Sequence, residues 1–570
     1  VPAALHRVFL KKLLLATVLS PALVAALCVG AEGVLLASGV CARGRWFVES
    51  GARDATSFVL NPDRRGRHFD FRVERFRKRP PAGARRIVCC GDSTCYGTPF
   101  DPPVPYASWI GTRLAADLPD VPTEVVNLGM MSMCSSELAD LVEETGAAGA
   151  DVLVVYVGHN EFLDRNSLPI TRPFAYAVRR AFAATRCGSL LLDVVRRSTD
   201  APAQTGGACR ERIRDEPDYT AAEIARGRAR YRANLRRIVA SARAHAAAVL
   251  LVHPICDFVD TQVYASSFSA SFPAPARDDY RRTAYELVQT RKGLDHAAAN
   301  GQPVDPAEVR RELAVSERLL ALDDGVALVH YETGRLLLLA GRVAEAHASF
   351  ARAAELDTYP VRADAALHRI LDEVAAETGA TVVDPRPRID EEAAPRLPGQ
   401  DGWFVDYCHP DMKGHALIAA EILRALRDTG RIVPPEQWRI GSLELDEEYL
   451  WKGGWTAASQ AASWARTALL RLCESRFDPA NERPLDVAGD LCRRALAIDP
   501  GCVDAWVGCG TLHAIRHESG PALDAFERAA AVRTDALSTV AAQYRGNAAV
   551  RKLFSEAGLC VRDGRVVAAR

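Results

Sequence analysis

A hydroxyl, an imidazole and a carboxylate in positions suited to nucleophilic catalysis occur at Ser93, His409 and Asp406. Ser93 lies in Gly91-Asp92-Ser93-Thr94, directly after the apolar run Ile87 to Cys90, which reads as a buried strand ending in a tight turn that projects the hydroxyl. Asp406 precedes His409 by three positions, in a loop entering a helix that begins at Met412. A carboxylate so placed can accept a hydrogen bond from Nδ1 of the ring and leave Nε2 to take a proton from a hydroxyl. The chemistry expected of such a set is attack on an acyl carbon through a covalent intermediate.

These residues need elements to hold them. Trp109, Ile110, Leu114 and Leu118 recur at helical spacing within Tyr106 to Leu118. Glu124 to Leu128 reads as a strand closed by Gly129, and Ser135 to Glu144 as a helix. Asp151 to Val157, DVLVVYV, has the unbroken β-branched and aromatic run of a central parallel strand, and Gly158-His159-Asn160-Glu161 follows it. A helix over Thr220 to Ala248, a strand over Val249 to Val252 ending in His253-Pro254, a helix over Ala363 to Thr378 and a strand over Ala380 to Val383 complete the pattern. It predicts a three-layer α/β domain whose ligands sit outside the carboxyl ends of the strands.

The four polar blocks together resemble the SGNH/GDSL hydrolase superfamily of esterases and lipases. The resemblance covers about Arg85 to Arg424, with a helical insertion at about 282–360 set aside, and implies a three-layer α/β/α, flavodoxin-like core. It makes Ser93 the nucleophile, His409 the general base and Asp406 its orienting acid. The backbone N–H groups of Ser93 and Gly129 and the Asn160 side-chain amide become the oxyanion donors. No cofactor or metal is implied, and the few histidines do not cluster in the sequence. Thr94 and Glu161 depart from the usual leucine and aspartate of the family. His159, His253 and Arg362 are candidates for touching substrate, with loop filling, a structural histidine and a surface ion pair as their plainer alternatives. The activity implied is ester hydrolysis on a glycan or lipid; O-acyl transfer by the same triad and a non-catalytic scaffold are the alternatives.

The remaining sequence frames this core. The 570 residues are 48% hydrophobic and 25% charged, with a formal net charge of -1, which fits a folded multidomain chain and gives no reason to expect nucleic acid as partner. Fifteen cysteines show no repeated metal-ligand spacing. Arg7, Lys11 and Lys12 precede an apolar stretch, of which Leu13 to Ala31 alone is long enough to cross a bilayer at about 1.5 Å per residue. Residues 1–42 are therefore expected to be a cytoplasmic head and transmembrane signal anchor, with the catalytic domain extracytoplasmic and the membrane as a partner. An exported soluble form after signal cleavage is the second reading. Residues 43–84 read as a basic juxtamembrane arm, 85–430 as the hydrolase-like domain, 431–484 as linker and connecting helices, and 485–570 as helical repeats. The last assignment rests on Trp506, Gly510, Ala522, Phe526 and Ala529, whose offsets mirror Gly334, Ala346, Phe350 and Ala353 in the insertion and resemble the tetratricopeptide repeat. Such repeats hold a protein partner or brace the domain.

Overall fold

The computed structural model describes residues 29–35, 37–38, 46–49, 56–61, 71–163, 167–183, 185, 213–400, 402–438, 453–474, 483–538, 540–541, 544 and 548–569. Five parallel strands, β1 (Arg85–Gly91), β2 (Thr123–Gly129), β3 (Val152–Tyr156), β4 (Ala248–Val252) and β5 (Thr381–Val383), pair in the order β5-β4-β3-β1-β2. Between and after them run α1 (Tyr106–Asp117), α2 (Ser135–Thr145), α3 (Ala221–Ala244), α4 (Arg277–Ala299), α5 (Pro306–Leu322), α6 (Ala327–Leu339), α7 (Val343–Leu356), α8 (Ala365–Thr378) and α9 (Met412–Asp428).

Both faces of the sheet are covered. Ile87, Cys89, Val152 and Val154 face α1 and α9, whereas Val88, Cys90, Leu153 and Val155 face α2, α3 and α8. Alternate residues of each strand thus enter separate cores, and the central parts of the strands are mostly apolar because helices cover both faces. Gly91 pairs with both Gly129 and Tyr156, so β1, β2 and β3 end at one level. The order reverses at β1, which places a crevice outside the carboxyl ends of β1 and β3.

Helix α3 stops at Ala244, four residues short of the expectation. His245 caps it and Ala246 turns with φ 64°, a reversal hidden in an alanine-rich run. Helices α4 to α7 form a satellite core between β4 and α8. Further on, α10 (Ala457–Glu474), α11 (Arg483–Ile498), α12 (Val503–Ile515) and α13 (Ser519–Val532) pack in sequence, and the hairpin Leu559–Arg562 with Arg565–Ala568 packs on α13. The repeated offsets have one physical basis. A Cβ at Gly334 would lie 2.7 Å from the Phe350 ring, and one at Gly510 would lie 2.7 Å from Phe526. In both hairpins the bare glycine lets the aromatic ring fill the crossing.

The amino-terminal readings require correction. Among the described residues no helix is long and apolar enough to cross a membrane. Residues 13–28 of the expected span lie outside the described residues, and 29–35 are helical with Val29 and Val34 exposed. The single-pass topology, the membrane as partner and the extracytoplasmic placement that depended on it are therefore withdrawn. Within residues 43–84, Phe47–Glu49, Ser57–Leu60 and Arg75–Arg77 form an antiparallel sheet. Trp46, Phe47, Phe71 and Phe76 are buried in the core cluster shared with α2 and α3. Glu144 on α2 accepts from the backbone N–H groups of Trp46 and Phe47 at 2.9 and 2.5 Å. Burial of these aromatic side chains against the domain holds the segment in place.

Candidate active site

Ser93 opens a single helical turn, Ser93–Tyr96, immediately after β1. Asp92 caps that turn by accepting from the Thr94 N–H at 3.0 Å, satisfying a donor that would otherwise be orphaned in a buried position. Burial pushes the Asp92 carboxyl up to about 7 despite this bond and the favourable charge of His409. Gly129 ends β2 against the same turn: a Cβ there would stand 2.1 Å from Tyr96 N and 2.5 Å from Cys95 C. Only glycine allows the two chain segments to approach this closely.

His409 arrives on the loop that enters α9. Asp411 caps the helix by accepting from the Gly414 N–H at 2.9 Å, and its other oxygen accepts from the Trp403 N–H at 3.0 Å, closing the loop. Asp406 Oδ1 accepts from the backbone N–H groups of Cys408 and His409 at 2.9 and 2.8 Å. Its Oδ2 lies 2.5 Å from His409 Nδ1, and His409 Nε2 lies 2.6 Å from Ser93 Oγ. Burial alone would raise the Asp406 carboxyl, but the His409 charge and the hydrogen bonds from the ring and backbone hold it below its ordinary range. Ser93, Asp406 and His409 are all buried, so their contacts are little screened by water.

The loop after β3 lies beside it. The Asn160 amide donates to Met133 O at 3.0 Å, which fixes the side chain against the turn following β2. Glu161 reaches the start of α2, where its two oxygens accept from the Ser135 N–H and Oγ–H, each at 2.7 Å. The extra methylene relative to aspartate is thus used to bridge two loops. Burial raises the Glu161 carboxyl to about 6. His159 is buried and accepts from the Ala363 N–H through Nδ1 at 3.2 Å; burial, and then repulsion from His409, push its pKa down to about 3. It is a neutral ring near His409.

Three expected roles meet competing contacts. The Gly129 N–H donates to Asn127 Oδ1 at 2.8 Å, while the Asn127 amide donates to Cys95 O at 2.8 Å. Gly129 therefore serves close packing, and its N–H is committed to Asn127, which opens the Asn127-Leu128-Gly129 block that the family resemblance includes. His253 contacts Asp372 through Nε2 at 2.8 Å and stacks edge-on against His368, away from the triad. Arg362 donates through Nη1 to Asp257 O and Thr261 O at 2.6 and 2.9 Å, and its guanidinium lies 4.7 Å from the Phe258 ring centroid. Its donors anchor a loop, and its Nη2 faces the buried Asp357 carboxylate at 3.9 Å, so it is not a surface ion pair.

Asp406, Cys408 and His409 also bring three potential metal-ligand atoms within 4.8 Å of one another. The donor set fits a cation poorly. Both His409 nitrogens already face Asp406 and Ser93, and burial holds the Cys408 thiol well above its ordinary pKa, disfavouring the thiolate.

No family model matches the sequence, and no curated protein matches it. Among solved structures, the chain is similar to Axe2, an acetylxylan esterase from Geobacillus stearothermophilus, at 15% identity over 60% of this chain and 94% of that chain, with a TM-score of 0.27. A catalytic mutant of the same esterase matches at 14% identity over the same shares with a TM-score of 0.26. The Naa15/Naa10 complex bound to HypK-THB matches at 12% identity over 74% of this chain and 64% of that chain, with a TM-score of 0.17. At these scores the likenesses carry no argument about activity.

Proposed function

We propose that the chain is a serine ester hydrolase with an SGNH-like core, working through an acyl-enzyme. The observation that carries this reading is the unbroken contact from Asp406 Oδ2 to His409 Nδ1 and from His409 Nε2 to Ser93 Oγ, at 2.5 and 2.6 Å, at the carboxyl end of β1. His409 takes the Ser93 proton as Oγ attacks the ester carbonyl, and Asp406 stabilises the imidazolium that forms. The Ser93 N–H and the Asn160 amide are the proposed donors to the developing oxyanion; removal of one such donor typically costs about 3 kcal/mol at the transition state. The tetrahedral intermediate expels the alcohol, which receives its proton from His409. Water, deprotonated by the same ring, then cleaves the acyl-serine and releases the acid.

The test is acid release from short-chain and acetylated esters by the purified chain beside Ser93→Ala. Turnover is expected in the parent and is expected to vanish in the variant. Turnover that persists in folded Ser93→Ala would overturn the assignment of the nucleophile, and absence of turnover on every ester would overturn the hydrolase reading.

A further inference from the structure

The segment after β4 passes beside the base loop and is gripped from two sides. Its Asp257 N–H donates to Tyr407 O at 2.9 Å, within the turn that separates Asp406 from His409. The Tyr407 ring lies 6.2 Å from that of His409 and 5.4 Å from Tyr264. Asp257 tightens the segment locally, its carboxylate accepting from the Val259 and Asp260 N–H groups and from Thr261 Oγ. From the side of α8, Arg362 holds the carbonyls of Asp257 and Thr261.

From the opposite side come α4 and α6. Tyr331 Oη donates to Val259 O at 2.9 Å, and Arg335 Nη1 donates to the same carbonyl at 3.1 Å and to Asp260 Oδ1 at 2.9 Å. Arg335 is itself fixed by Asp295 at 2.8 Å, which also pairs with Arg291 at 2.9 Å; Arg291 in turn forms two bonds to the fully buried Glu332 at 2.5 and 2.9 Å. Such a network is costly to desolvate and adds little net stability over an apolar core, but it fixes geometry because each member has a directional partner.

We propose that the helices inserted between β4 and α8 act as a clamp on the catalytic base, with Arg335 and Tyr331 as positioning residues. The clamp holds segment 257–262, that segment holds the Tyr407 peptide, and the Tyr407 peptide sets the separation of Asp406 from His409. The kinetic part of this proposal rests on the hydrolase reading; the geometric part does not. A displacement of the ring of about 1 Å is enough to cost about a hundredfold in rate.

The experiment compares the full chain with Arg335→Gln, Arg335→Lys and Tyr331→Phe. Unfolding midpoints report the fold, ester assays separate kcat from KM, and proton NMR follows the downfield Nδ1–H resonance of His409 without substrate. Arg335→Gln is expected to lower kcat by about ten- to a hundredfold with KM little changed and to broaden or shift the resonance. Arg335→Lys is expected to recover part of both, and Tyr331→Phe to give a smaller effect in the same direction. An unchanged His409 resonance in folded Arg335→Gln overturns the clamp; if that variant does not fold, an unchanged resonance in Tyr331→Phe does so. A parent that hydrolyses no ester overturns the hydrolase reading alone, because the resonance still decides the clamp.

Discussion

Asp406 performs two tasks with two oxygens. One gathers the backbone N–H groups of Cys408 and His409, and the other faces His409 Nδ1. Asp406→Asn can keep the first task but presents an amide N–H or a neutral oxygen to the ring, favouring the wrong tautomer. Under the proposed mechanism kcat is expected to fall by about four orders of magnitude with the fold retained, measured by steady-state ester hydrolysis and thermal unfolding. Glu161 gives a pH prediction with the opposite sign from an ordinary ion-paired acid. Its folded pKa of about 6 lies above the reference 4.5, so the folded protein binds the proton more tightly than the unfolded chain. Its contribution is fully favourable below about 4.5 and is lost as pH rises through 6, amounting to about 2 kcal/mol at neutral pH as an upper bound. Urea titrations of wild type and Glu161→Gln between pH 4.5 and 7 should show a smaller loss of stability with rising pH in the variant; equal slopes would refute the assignment. The sequence foreshadowed the meeting of Ser93, Asp406 and His409 because each stands beside its own turn or cap. It did not disclose that Arg362 binds carbonyls or that Asn127 engages the Gly129 N–H, since those partners are set by tertiary approach.

At the scale of elements, the site depends on where β1, β2 and β3 stop. Their ends are level, and the Ser93 turn is pressed against Gly129 so tightly that a methyl group would meet backbone atoms. Backbone cannot rotate away as a side chain can, so Gly129→Ala is expected to lose about 3 kcal/mol or more of stability. A urea midpoint equal to that of the parent would show that β2 can retreat from the nucleophile turn. The strands were legible as apolar runs because both faces of the sheet are covered. The end of α3 was not, because alanine continues through the turn at His245 and Ala246 without a glycine or proline to mark it.

The whole chain combines a mixed α/β core around a parallel sheet with two groups of helices, one inserted before α8 and one after α9. The same glycine–phenylalanine crossing appears in each group, which is why their sequence offsets agree. The amino-terminal sheet was obscured by the surrounding charges, although Phe76 lies between Arg75 and Arg77 and, with Phe47, folds inward. In the proposed mechanism Ser93 Oγ is the atom that takes the acyl group. That assignment is tested most directly by treating the full chain with a fluorophosphonate and locating the adduct by peptide mass spectrometry. One covalent adduct is expected on Ser93, formed rapidly by the parent, strongly slowed in His409→Ala and absent in Ser93→Ala. An unmodified Ser93 in folded protein, or an adduct that forms equally fast without His409, would contradict it.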